Sequence, residues 1–147
     1  MDTRFAETED DIAQCQRLRR IVFIEEQGVS EADEIDGLDG DCAHVLATID
    51  GTPVGAARIR YLGDTAKIQR VCVLKSHRNR GLGAQLMRFI LAELAANPRV
   101  NAARLGSQTH ALDFYRKLGF EAVGEEYMDA GIPHRDMEID LCADAKD

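Results

Sequence analysis

The stretch Val71-Cys72-Val73-Leu74-Lys75-Ser76-His77-Arg78-Asn79-Arg80-Gly81-Leu82-Gly83-Ala84 decides how this chain is read. Its opening residues close a strand candidate that began at Ala66. Its last residues open a segment in which Leu82, Leu86, Phe89, Ile90 and Leu94 fall at helical spacing until Asn97-Pro98 stops the pattern. Between them, glycines let another molecule approach the backbone, and a helix start offers unpaired N–H groups and the positive end of its dipole. A strand, a glycine-bearing turn and a helix in that order make an anion site, with a pyrophosphate as natural occupant; the plainer alternative is that Gly81 and Gly83 only make a tight turn. Charge favours the anion. From Thr65 to Ala92 the chain carries Lys67, Arg70, Lys75, Arg78, Arg80 and Arg88 and no acidic residue, although overall 18 Lys+Arg face 26 Asp+Glu for a net charge of −8. A P-loop would need Gly-Lys-Ser/Thr at the helix entrance, and a dinucleotide fingerprint would need a third glycine and a later acidic residue; the stretch has neither.

Upstream, Thr8 or Asp10 can cap a helix whose apolar stripe is Ile12, Cys15, Leu18 and Val22, ending near Gln27-Gly28. Ser30 to Asp41 is acidic, glycine-bearing and aperiodic, which predicts a loop. Ala43 to Ile49 and Val54 to Tyr61 flank Asp50-Gly51, a hairpin signal, and Ala66 to Leu74 follows as a third strand. Downstream, Ala102 to Ser107 predicts a short strand. Ala111, Phe114, Tyr115 and Leu118 predict a helix ended by Gly119, and Glu121 to Tyr127 and His134 to Leu141 a final strand pair. This order predicts one mixed α+β (α/β) domain over the 147 residues, with helices flanking a mostly antiparallel sheet and one parallel strand-helix-strand crossover at 66 to 107. The tail 143 to 147 is expected to fray.

The acidic balance argues against nucleic acid and anionic membrane surfaces as partners. Residues 1 to 11 lack the basic, then apolar pattern of a signal peptide, and no apolar run approaches the ~20 residues of a membrane span. A cytoplasmic protein is expected. Cys15, Cys42, Cys72 and Cys142 are isolated from one another, so free, mostly buried thiols and no metal site are expected.

Arg78-x-x-Gly81-x-Gly83 after a Val-x-Val strand resembles the pyrophosphate signature of the GNAT superfamily of acyl-CoA-dependent N-acyltransferases. Gln108-x-x-Ala111-x-x-Phe114-Tyr115-x-Lys117-x-Gly119-Phe120 looks like its second cofactor motif at the expected distance, although Asn often stands where this chain has Gln108. The likeness extends to the smaller ElaA-like subgroup through Val22 to Gln27, Asp36 and Asp39 before His44, Gly106-Ser107-Gln108-x-His110, and Gly131-Ile132-Pro133-His134-x-x-Met137. It implies a GNAT-like fold, acetyl-CoA as donor with coenzyme A as product, a small-molecule or peptide amine as acceptor, and a possible homodimer.

The resemblance further implies roles by position. Val71, Cys72 and Val73 would pair their backbone with the pantetheine amides like an added strand. Arg78, Asn79, Arg80, Gly81, Leu82, Gly83 and Ala84 would cradle the pyrophosphate. Gln108 and Lys117 belong to the second cofactor motif, Phe114 would pack beside the pantetheine arm, and Tyr115 would protonate the departing thiolate. On spacing alone Phe114 and Tyr115 equally suit core filling, as does Cys72.

Direct transfer of an acyl group from a thioester to an amine needs carbonyl polarisation, a proton for the thiolate and a base for the amine. Glu26, His110 and His134 are the candidate bases; His110 lies about one helical turn before Tyr115. Between Ile21 and Ala57 stand nine carboxylates and no Lys or Arg, which reads either as a solvated acidic loop or as a mouth that attracts a cationic amine. A catalytically silent acyl-CoA-binding or sensor module is the alternative to an enzyme.

Overall fold

The computed structural model describes residues 1–141; Cys142 and the tail 143–147 lie outside the described residues. Seven strands form one mixed sheet, β1 (Asp2–Phe5), β2 (Ala43–Ile49), β3 (Thr52–Leu62), β4 (Thr65–Val73), β5 (Ala102–Gln108), β6 (Glu121–Asp129) and β7 (Ile132–Asp140), in the spatial order β1-β2-β3-β4-β5-β7-β6. All neighbours run antiparallel except β4 and β5, joined by the crossover helix α3 (Leu82–Ala96). This is the architecture expected from the order of elements. The β2–β3 turn is the anticipated Asp50-Gly51, both at positive φ.

The helix α1 (Glu9–Arg19) starts at Thr8, whose hydroxyl accepts the Asp11 N–H at 3.1 Å, with Glu9, Asp10 and Asp11 in the first turn suiting the dipole. Beyond Arg19 the helix does not stop but widens into a π-helical stretch, Arg20–Glu26. The expected loop at 30 to 41 instead contains α2 (Glu31–Glu34), capped by the Ser30 hydroxyl, and a 3₁₀ turn at Asp39–Asp41. Another 3₁₀ turn, Thr109–Ala111, precedes the short α4 (Leu112–Arg116). The four-residue β1 went unanticipated because so short a segment shows too little alternation to register.

The sheet is covered on both faces. Against one lie Leu82, Leu86, Met87, Ile90 and Leu94 of α3 with Phe120 and Met137, the larger core. Against the other, Cys15, Leu18 and Val22 pack on Leu46, Ala56 and Cys72.

One irregularity organises the rest. On β4, Ala66 and Ile68 face the α3 side, and strict alternation would put residue 70 there too; instead Arg70 adopts φ 56°, an extra residue is inserted opposite Ala56 to Arg58, and Val71 and Val73 take over that face. The bulge turns the strand away from its parallel neighbour. Pairing of β4 with β5 covers only Thr65 to Lys67 against Ala102 to Arg104, and beyond these three pairs the strands diverge.

Candidate active site

The divergence leaves the outer edge of β4 without a strand partner, and a cleft follows it. Its walls are Val71, Cys72, Val73, Arg78, Asn79, Gly81, Leu82, Gly83, Ala84, Ala111 and Phe114. Asn79 (φ 64°) and Gly81 (φ 76°) both take the left-handed conformation in the turn ahead of α3, whose first N–H groups have no partner within the helix. Gly83 lies against the ring of Phe114, where an added Cβ would sit 3.4 Å from the ring edge. The unpaired strand edge, the turn and the helix start fit a pantetheine arm ending in a pyrophosphate. Three of the expected cofactor residues lie off these walls. Arg80 points to solvent, Lys117 caps the end of α4, and Gln108 faces a neighbouring cavity.

That cavity opens where β4 and β5 separate. Phe23, Gln27, Gln69, Arg70, Ser107, Gln108, His110 and Tyr115 line it, and it shares Val71 and Ala111 with the cleft. Tyr115 stands edge-on to Phe114 at 4.9 Å, and burial pushes its phenol up to about 12. Its hydroxyl makes no hydrogen bond to another described residue. His110 is exposed, with Nε2 2.6 Å from Gln108 Oε1, while Gln108 Nε2 donates to Gln27 Oε1 at 3.0 Å. Cys72 offers the cleft its backbone only; its side chain is buried under α1, and desolvation holds the thiol near 12, so it packs and does not react.

A third hollow adjoins through Phe23, Gln27, Arg70 and Gln108 and continues to Asp33, Asp129, Ile132 and His134. His134 lies across β5 from Gln108 and across β6 from Tyr127. Its Nδ1 donates to the Ile132 carbonyl at 2.7 Å, which leaves Nε2 as the acceptor, and the ring stacks on Tyr127, itself donating to Asp136 Oδ1 at 2.6 Å. Tyr127 can lie there because Gly106 has no side chain; a Cβ would stand 2.6 Å from the hydroxyl.

Glu26 sits elsewhere, paired with Arg78 of the cleft wall. Both its oxygens accept from the Arg78 guanidinium, whose Nε donates to the Val73 carbonyl at 2.9 Å. The bond to Arg78 lowers the Glu26 pKa, which makes it a poorer base.

The acidic segment proves to be neither a solvated loop nor a purely substrate-facing mouth. Five of the nine carboxylates, Glu26, Glu31, Glu34, Asp36 and Asp39, pair with arginines. Arg58, fully buried, donates to Asp36 at 2.7 and 2.9 Å, to Asp39 at 2.9 Å and to Gln69. Arg19, 1% exposed, donates to Glu34 at 2.7 Å and to Asp39 at 3.0 Å. Burial would raise the Asp39 pKa, but its bonds from Arg19, Arg58 and Gln16 outweigh this and hold it at about 2. Asp36 is held well below the usual range, chiefly by Arg58. Arg70 reaches the same segment at Glu34 and Asp36, both at 3.4 Å. So Arg70 and Arg78, read from the sequence as waiting for an anion, have found it within the chain.

A family model described as an acetyltransferase (GNAT) domain matches residues 18–141. A Bacillus subtilis protein named as an uncharacterized N-acetyltransferase, YjcF, is 38% identical over 141 residues, covering 95% of this chain and 100% of its own. Among solved structures, an acyl-CoA N-acyltransferase from Pseudomonas aeruginosa superposes with a TM-score of 0.83 at 31% identity, over 94% of this chain and 98% of its own. Escherichia coli ElaA superposes at 0.84 with 30% identity, over 94% and 98%. Among the described residues no helix is long and apolar enough to cross a membrane.

Proposed function

The chain belongs to the GNAT acetyltransferase family, and from that premise we propose that it transfers the acetyl group of acetyl-CoA directly to the primary amine of a small molecule or peptide. The observation that carries the reading is the cleft along the unpaired edge of β4, which runs past the turn before α3 and adjoins, at Val71 and Ala111, the cavity that holds Tyr115. Val71 and Val73 would hold the pantetheine amides through their backbone, and the turn from Arg78 to Ala84 the pyrophosphate. Acetyl-CoA supplies an activated acyl carbon on a sulfur leaving group.

The chain's own groups then divide the proton work. His134, with Nδ1 committed to Ile132, takes the proton of the incoming amine on Nε2 as the C–N bond forms. Tyr115, whose phenol is protonated at neutral pH, gives its proton to the sulfur as the C–S bond breaks. Asp33 and Asp129, neither of them in an ion pair among the described residues, line the hollow by which a cationic amine would approach His134. His110, tied to Gln27 through Gln108, is a second route for the amine proton because it shares a cavity with Tyr115.

The test is Tyr115→Phe, followed by thiol release with an amine panel and by acetyl-CoA affinity. A fall in kcat of ~10²–10⁴ with affinity kept supports the acid role, and intact turnover removes it. His134→Gln and His110→Gln, compared by pH profile, decide the base. A wild-type protein that binds acetyl-CoA but acetylates no amine would be a sensor module instead.

A further inference from the structure

We infer that Gln69, a residue outside both cofactor motifs, is a catalytic hydrogen-bond donor to the acyl carbonyl oxygen. The inference rests on the acyl-transfer reading above. Gln69 precedes the Arg70 bulge on β4 and pairs in register with Arg58 on β3. Its amide oxygen accepts twice from that arginine, from Nε at 3.0 Å and from a terminal nitrogen at 2.7 Å. Arginine can only donate, so the amide is fixed with its oxygen toward Arg58 and its NH₂ away from it. The Nε2 group has no partner among the described residues, nor is it sealed from solvent, and Gln69 lines the cavity that holds Tyr115 and His110.

What stands behind the amide is a rigid support. Arg58 is fully buried and its remaining donors are taken by Asp36 and Asp39. A cation bonded to the amide oxygen polarises the group and makes its N–H a stronger donor. A pair of N–H bonds held in place before reaction suits an oxygen that gains negative charge as the amine adds, and it cannot serve an ammonium, which has no lone pair. This also gives the buried arginine network a function: it holds one donor in place at the cavity.

Gln69→Glu tests the idea cleanly. The carboxylate keeps the shape and the bond to Arg58 but presents an acceptor where the N–H was. Using acetyl-CoA labelled with ¹³C at the carbonyl, the wild-type protein should move the bound carbonyl resonance downfield, and the variant should lose most of that movement. Its kcat should fall ~10²–10³-fold at unchanged acetyl-CoA affinity. Gln69→Leu should lose both Tm and kcat, because Arg58 then also loses a partner. The inference fails if Gln69→Glu keeps the wild-type resonance and a kcat within twofold. It fails equally if only Gln69→Leu is impaired, which would make Gln69 a mere prop for Arg58, or if Gln69→Glu turns over faster, which would mark a base. A wild-type protein that neither shifts the label nor releases thiol overturns the acyl-transfer reading itself, and this inference with it.

Discussion

The two faces of the sheet are closed by different physics. Under α3 the seal is aliphatic and aromatic, from Leu82 through Leu94 onto Val45, Ile59 and Ile68. Under α1 only half of the face is apolar; the other half is ionic, with Arg19 and Arg58 buried against Glu34, Asp36 and Asp39. An apolar seal depends on volume and is indifferent to charge state. An ionic one works only while every partner is present, since desolvated charges are compensated pairwise, and in return it fixes side-chain orientation. The hollow proposed for the acceptor amine borders the ionic half, at Asp33, Glu34 and Arg70.

Removing one partner from each face should expose the contrast most strongly. Asp39→Ala, which leaves Arg19 and Arg58 short of an acceptor, should cost about 3–5 kcal/mol in denaturant unfolding. Leu86→Ala under α3 should cost about 2–5 kcal/mol through its cavity. The sharper distinction is in pH, because the Leu86 loss should be the same at pH 3 and pH 7, whereas the Asp39 loss should be smaller at pH 3 by about 1 kcal/mol. An Asp39 loss equal at both pH values would dissolve the distinction.

Acid titration of the wild-type protein gives the next effect. Asp39 is held at about 2 in the fold against 3.8 unperturbed, so its contribution is complete above the unfolded value and disappears as pH falls from about 5 through 2. This group accounts for roughly 2 kcal/mol, and Asp36 adds in the same direction. Stability measured from pH 7 downward should therefore be flat and then fall steeply. The smallest effect is Thr8→Ala, a lost helix cap at the edge of the ionic face, worth about 1 kcal/mol and readable as a lower Tm.

The same division governs what could be read in advance. Leu82 to Leu94 and the Asp50-Gly51 hairpin are local patterns, and local patterns survive in a sequence. The motif residues from Val71 to Ala84 were legible for that reason. Pairings such as Arg58 with Asp36, or Glu26 with Arg78, join segments far apart in the chain and leave no periodic trace. Two signals were nevertheless present. Ile68 and Val71 stand three apart where a strand alternates by two, which marks the bulge, and Arg58 interrupts the apolar run from Val54 to Ile59, which marks a cation needing buried counterions. Gln69 lies inside the first signal and is hydrogen-bonded to the second. The π-helical stretch at Arg20–Glu26 had no such marker, since its residues suit an ordinary helix equally well.

The short seam between β4 and β5 has a consequence in time as well as in space. Strands β2 to β4 form a meander of neighbouring hairpins with β1 added at its edge, and β5, β7 and β6 form a second group. Between the two sets of strands the ladder has three residue pairs, Thr65 to Lys67 against Ala102 to Arg104, and α3 spans the connection. Each half draws on near neighbours and can assemble early, while the seam must wait for a long loop to close. In native-state hydrogen exchange, the amides of Thr65 to Lys67 should report the joining of the halves. Those on the open edge from Ile68 to Val73 should exchange sooner, and adding coenzyme A should slow them if its pantetheine pairs with that edge as proposed.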